Sequence, residues 1–170
     1  YNISDLNNIQ EADRIQSNPG SNSIPHNTFV DGNFLITSYY TDGTTVHDIT
    51  YPNNMIQVAY YDSYSGSGNG FDGNWGTYPF LPSGNIISSD INSGANQSAK
   101  LLIYERQFQQ ACYLEGTVTD ANTTNAIASA NIEILTSSIS TSTNISGAYT
   151  SGIANGGTYN ILFSKPGYES

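Results

Sequence analysis

The sequence predicts an all-β chain whose first 108 residues form four-stranded antiparallel units of β-propeller-blade size. Three observations carry this. Thirteen Tyr and many Thr favour strands, while abundant Asn, Gly and Ser favour turns. Ala, Glu, Lys and Arg, which sustain exposed helices, are scarce outside one or two short segments. An internal repeat is also present: Phe29–Ser38 (FVDGNFLITS) matches Phe80–Ser89 (FLPSGNIISS), with one residue inserted before the second Gly-Asn. Each copy reads as an apolar strand end, a tight Gly-Asn turn and a β-rich run. The second copy lies in FDGNWGTYPFLPSGNIISSD, residues 71–90, which holds the only Trp.

In chain order, Ile3-Ser4 followed by Asn7-Asn8-Ile9 parallels Ile49-Thr50 followed by Asn53-Asn54-Met55. The parallel favours a strand, a polar turn and a second short strand over residues 1–16; Glu11, Ala12 and Arg14 also permit a short helix over 5–16. Residues 17–23 (SNPGSNS) form a loop with a Pro-Gly turn signal. Four strands are expected at 26–30, 34–40, 44–50 and 55–62, with Asp42-Gly43 as a type I′ hairpin turn. Four antiparallel strands in about 40 residues is the size of one propeller blade. A Gly/Ser/Asn loop covers residues 63–74, and a second unit follows with strands at 75–81, 85–91 and 99–106. Residues 92–98 replace the tight turn of the first unit. The Gly-Asn turns lie 52 residues apart and the Ile-x-x-x-Asn-Asn features 46 apart. Residues 107–110 (QFQQ) link to a region with fewer aromatics. There, strands are expected at 114–120 and 126–135, the second with Ile132 and Ile134 on one face. Gly147-Ala148-Tyr149 and Gly157-Thr158-Tyr159 mark two further strand starts.

Composition excludes several roles. The chain is 11% charged with a formal charge of −10, about half the usual charged fraction. Four basic residues, Arg14, Lys100, Arg106 and Lys165, do not make a phosphate-tracking patch, so nucleic acid is not an expected partner. The same charge is repelled by anionic membrane surfaces. No apolar run approaches the ~20 residues that span a bilayer. Tyr1 is followed by no basic or apolar leader, so the chain reads as a mature product or a fragment.

Two resemblances sharpen the picture. Val46-His47-Asp48-Ile49-Thr50-Tyr51-Pro52 and the run Trp75–Asp90 (WGTYPFLPSGNIISSD) resemble the end of LVIVD-repeat β-propellers of the choice-of-anchor type, found in secreted, surface-anchored bacterial proteins. This covers residues 1–108, and departs from the family's pattern after Gly94, where ANQSAK intervenes. About two and a half blades are present, so the propeller is incomplete. From Cys112 to Tyr168 the spacing G-x-V-x-D, A-x-I-x-I, G-x-Y, G-x-Y-x-I and S-K-x-G-Y resembles the carboxypeptidase regulatory-like domain. That resemblance implies a small Ig-like or transthyretin-like β-sandwich of seven strands over 109–170, its last strands falling beyond Tyr168. It is the accessory and not the catalytic domain of carboxypeptidases, and the chain has no H-E-x-x-H or H-x-x-E zinc motif.

Candidate residues each have a plain structural alternative. Asp31, Asp42, Asp48, Asp62, Asp72 and Asp90 fall at or near turns. Asp42-Gly43 and Asp72-Gly73-Asn74 have the residue types for Ca²⁺ but no dense D-x-D-x-D run, and plain Asp-Gly turns account for them. His26 and His47, read as lying on adjacent strands, have no third ligand at short spacing, which favours structural roles over metal or acid-base chemistry. Gly66-x-Gly68-x-Gly70 precedes no helix and is not a phosphate loop. Cys112 is read as a small buried hydrophobe at a strand start, the alternative being a reactive thiol. Tyr39, Tyr40, Tyr51, Tyr60, Tyr61, Tyr64, Phe71, Trp75 and Tyr78 suit packing between blades, and equally carry stacking faces for carbohydrate. Asn2, Asn96, Asn122 and Asn144 sit in N-x-S/T sequons, by chance or for glycosylation.

No catalytic, cofactor-binding or metal residue is assigned and no cofactor is expected. The expectation is a non-enzymatic, extracellular or cell-surface protein of Bacteroidota-like bacteria, acting as a structural or binding/adhesion module. Its partners would be copies of itself, other surface proteins or glycans, without membrane insertion. The alternatives are a self-assembling subunit of a filament or lattice joined by strand complementation, and an accessory region of a larger secreted enzyme.

Overall fold

The computed structural model describes residues 1–17, 21–91 and 98–169. The Pro19-Gly20 turn, the replacement connection beginning at Asn92, the ANQSAK departure and the Asn96 sequon therefore fall wholly or mostly outside the described residues. The chain divides into two compact units, Tyr1–Gln110 and Ala111–Ser170. Both are all-β and antiparallel.

In the first unit, β1 (Pro25–Asp31), β2 (Phe34–Tyr39), β3 (Gly43–Asp48) and β4 (Ile56–Tyr61) form a four-stranded meander in the order β1-β2-β3-β4. β5 (Asn74–Tyr78), β6 (Ile86–Asp90) and β7 (Lys100–Tyr104) form a three-stranded one. Neither sheet closes into a barrel. The Gly32-Asn33 turn is as expected: Asp31 pairs with Phe34, and Gly32 takes φ +59, open to Gly without strain.

Two expected turns differ. Asp42-Gly43 is not a type I′ pair: Tyr39 pairs with Gly43, and a 3₁₀ turn at Tyr40–Asp42 bridges them. Gly43 takes φ +75, and a Cβ there would lie 2.1 Å from the Tyr61 carbonyl oxygen. Gly84-Asn85 closes a longer connection between Tyr78 and Ile86, with Gly84 N–H donating to Leu81 O at 2.9 Å. Pro79 and Pro82 supply no backbone donor, so the ladder cannot run on to the glycine as it does in the first copy.

Residues 1–10 form neither the favoured pair of strands nor the alternative helix. They hold one antiparallel bridge, Asn2 with Gln10. Its details nonetheless repeat those of the β3–β4 corner at the 46-residue offset. Asn2↔Gln10 corresponds to Asp48↔Ile56. The turn bond Asn8 N–H to Asp5 O (3.0 Å) corresponds to Asn54 N–H to Tyr51 O (2.9 Å). The side-chain cap from Ser4 N–H to Asn2 Oδ1 (3.0 Å) corresponds to that from Thr50 N–H to Asp48 Oδ1 (2.8 Å). The parallel seen in the sequence thus recurs in two backbone features and one side-chain cap.

The two sheets of this unit pack together over Ile36, Val46 and Ile86, with Phe34, Val58, Ala59, Tyr104 and Phe108 around them. Truncating a buried Ile to Ala costs about 2–5 kcal/mol, so this small cluster matters to a chain this polar. Polar groups do the rest. Asn74 Nδ2 donates to Thr44 Oγ1 (2.8 Å) and Ser88 Oγ (2.5 Å), all three residues being buried. The Asn27 amide donates to Thr77 O and accepts from Thr77 N–H, both at 3.2 Å. It thereby stands in for a strand along the outer edge of β5. Arg106 ties Asp31 (2.5 Å) to Pro79 O (2.6 Å).

In the second unit, β8 (Cys112–Thr117) pairs with β11 (Ala148–Ile153), and β9 (Asn131–Ile134) lies between β10 (Ser140–Ser142) and β12 (Ile161–Ser164). Five strands are therefore present among the described residues, where seven were expected. Ile132 and Ile134 are both buried, as their alternation implies, and Ile127 and Ala130 of this unit are buried too. Tyr149 of β11 meets Phe163 of β12 edge to face at 5.7 Å, so the two small sheets meet at these rings. Thr143 Oγ1 accepts from Ala130 N–H (2.8 Å) and donates to Ile127 O (2.6 Å), satisfying buried backbone between them.

Candidate ligand-binding surface

The expected aromatic residues separate into buried and solvent-facing groups, with Tyr64 half-buried between them. Tyr39 and Tyr40 are buried, whereas Tyr51, Tyr60, Tyr61, Phe71, Trp75 and Tyr78 are exposed. Packing between sheets accounts for the first group and leaves most of the second unexplained.

Four rings form a continuous row at one end of the sheets. Phe71 meets Tyr40 edge to face at 5.2 Å, Tyr40 meets His26 edge to face at 5.4 Å, and His26 meets Trp75 at 5.4 Å. Such geometry follows from the ring quadrupole. Tyr40 is 8% exposed and anchors the row, while Trp75 is 50% and Phe71 66% exposed. The anchor is fixed by a glycine. Gly73 takes φ +88, and a Cβ there would lie 2.3 Å from the Tyr40 carbonyl oxygen. The chain can therefore pass against Tyr40 only at Gly73, and this sets Phe71 two residues to one side and Trp75 two to the other. Thr41 Oγ1 donates to Gly68 O at 2.7 Å and holds the loop preceding Phe71. A second ring cluster, Phe29, Tyr78 and Phe80, has edge-to-face centroid distances of 5.5–5.9 Å.

The six turn aspartates do not act as one set. Asp31 pairs with Arg106, and Asp48 caps Thr50 N–H. Asp42 accepts from Ser17 (2.6 Å) and Ser21 (2.7 Å), and Asp90 from Ser63. Partial burial holds the Asp62 carboxyl above the usual carboxylate range; the charges of Asp42 and Asp90 add to this and the Tyr64 N–H opposes it. Among the described residues no three His, Cys, Asp or Glu are placed to hold a metal ion. Gly43 and Gly73 instead serve the positive-φ turns already described.

The two histidines lie on β1 and β3, with β2 between them, and not on adjacent strands. His26 belongs to the ring row. His47 is buried at 2% exposure, and its Nδ1 has no hydrogen-bond partner among the described residues. Burial lowers its pKa to about 4, the nearby Asp13 charge acting in the opposite sense. Cys112 does begin a strand, but it is exposed and not a buried hydrophobe. Among the sequons, Asn122 is exposed, and the side chain of Asn144 caps its own turn, accepting from Ser146 N–H (2.9 Å) and Ala148 N–H (3.1 Å).

Concavities lie in both units. One of about 280 Å³ opens in the first unit beside Tyr61, Ile86, Tyr104 and Phe108. One of about 480 Å³ lies in the second unit, lined by Val118, Asp120, Ile127, Phe163, Lys165 and Tyr168.

The sequence singles out Tyr40, Phe71 and Trp75 as candidate stacking residues but not their arrangement as a row, and it leaves out His26, which lies 45 residues before Phe71. Only the FDGNW spacing around Gly73 signalled that Phe71 and Trp75 flank a constrained backbone. Compared with known proteins, no curated sequence and no solved structure matches the chain. Residues 113–170 match the family described as the carboxypeptidase regulatory-like domain, a non-catalytic domain, and this match supports the C-terminal β-sandwich.

Proposed function

We propose that the chain belongs to a non-enzymatic extracellular protein of the bacterial surface and serves as a binding or adhesion module. In this reading the first unit is part of an LVIVD-type β-propeller and the second an accessory sandwich. The observation that carries it is the row of rings ending in solvent-exposed Trp75 and Phe71 on a backbone fixed by Gly73. Contiguous exposed aromatics on a rigid scaffold are characteristic of surfaces that a partner covers. The recurrence of backbone features at 46 residues supports the repeat architecture.

A second reading is self-assembly. β7 is an edge strand whose Leu101 (70%) and Ile103 (65%) are exposed. Exposed apolar edges of this kind invite pairing with another chain. Light scattering on the natural protein, together with retention on bacterial cells and their extracellular polysaccharides, separates the two. Discrete particles that bind a surface are expected. Ordered polymers without surface binding would replace the module by a lattice subunit.

A further inference from the structure

We propose that the row Phe71–Tyr40–His26–Trp75 is a binding site for a neutral pyranose of an extracellular polysaccharide. This inference rests on the binding-module reading and names its ligand class and location. Three observations select the ligand.

First, among the described residues the rings contact one another in sequence, Phe71 with Tyr40, Tyr40 with His26 and His26 with Trp75, as an open row. They offer flat apolar platforms at Trp75 and Phe71, which suit the C–H face of a sugar ring. A compact cation prefers enclosure by several ring faces. Second, the charged residues nearest the row in sequence are acidic, which disfavours an anionic ligand. Asp72 follows Phe71, and Asp42 lies two residues after Tyr40. None of the four basic residues falls between His26 and Trp75. Third, the loop ending at Phe71 carries exposed Ser65, Ser67 and Asn69, which offer hydroxyl and amide partners to sugar hydroxyls. A stacking platform joined to a few polar groups is the usual composition of a small-ligand site. Gly73 fixes the platform before binding, which lowers the ordering cost.

Trp75 is the only Trp, so its fluorescence reports on this site alone. The chain is titrated with neutral oligosaccharides of glucose, galactose, mannose and xylose. A saturable blue shift of Trp75 emission is expected with at least one, together with protection from acrylamide quenching. Phe71→Ala should weaken that binding about tenfold, and Trp75→Ala should remove it in calorimetry. Both side chains are at least half exposed, so these truncations leave the core intact. An unchanged Trp75 signal with every saccharide overturns the site. A shift with tetramethylammonium and not with sugars overturns the ligand class. If Trp75→Ala and Phe71→Ala chains still bind intact polysaccharide as wild type does, the module reading stands and this site falls. If wild type binds no surface or polysaccharide at all, both fall.

Discussion

Replacing Asn27 by Ala tests how the two sheets of the first unit are joined. The Asn27 amide satisfies both backbone groups of Thr77 on the outer edge of β5, each at 3.2 Å, and accepts from Ser38 Oγ at 2.5 Å. Thr77 is 4% and Ser38 0% exposed, so water does not readily replace the amide. Each buried backbone group left without a partner costs about 1–3 kcal/mol. With some relaxation, two such groups give an expected loss of about 2–4 kcal/mol. Asn27→Asp is a sharper companion. It keeps the acceptor for Thr77 N–H, loses the donor, and sets a carboxylate oxygen against the Thr77 carbonyl. It should cost at least as much at pH 7. Urea unfolding followed through Trp75, two residues from Thr77, reads the first unit specifically. A midpoint shift at unchanged slope is the expected result. A cost below about 0.5 kcal/mol for both variants would refute the strand-mimic role, since a surface substitution costs no more.

The other predictions concern single groups. His47 is held neutral, with a folded pKa of about 4 against an unfolded value of about 6.5. The unfolded chain therefore binds its proton first, so this group's contribution is complete above about pH 6.5 and is lost as pH falls towards 4. His47→Gln should flatten the stability–pH curve in that window by about 2–3 kcal/mol relative to wild type. Gly73→Ala should destabilise the first unit by more than about 1–2 kcal/mol, because positive φ and the Tyr40 carbonyl both oppose a Cβ; calorimetric melting measures it. Thr143→Val, nearly isosteric, should cost the second unit about 1–3 kcal/mol by orphaning Ala130 N–H and Ile127 O. Cys112 should react stoichiometrically with a thiol reagent in the native protein.

What was legible in the sequence was local. Tyr- and Thr-rich runs between Gly, Asn and Pro turn signals place the seven strands of the first unit to within a few residues, and Ile132 and Ile134 identify the inner face of β9. The Asn-Asn parallel at 46 residues survives as equivalent turn and cap hydrogen bonds. Errors came where a residue's role depends on what lies across from it. Gly43 looked like half of a two-residue hairpin, but it is needed because the chain of Tyr61 and Asp62 passes against it. Cys112 looked like core because it starts a strand, yet its place in β8 leaves it exposed. His26 and His47 looked like neighbours, but β2 runs between their strands. The ring row needed both sheets in place: only their packing brings the ring of Trp75 to His26, 49 residues earlier.

The central claim is that the rings around Tyr40 form a working surface. The most direct test is an NMR titration of the isotope-labelled chain with the neutral polysaccharide fragments, following the single indole N–H of Trp75. Saturable shifts at Trp75, Phe71 and His26, with the second unit unperturbed, are the predicted result. Shifts confined to the second unit, or to β7 and its exposed Leu101 and Ile103, would contradict it and place the binding surface elsewhere.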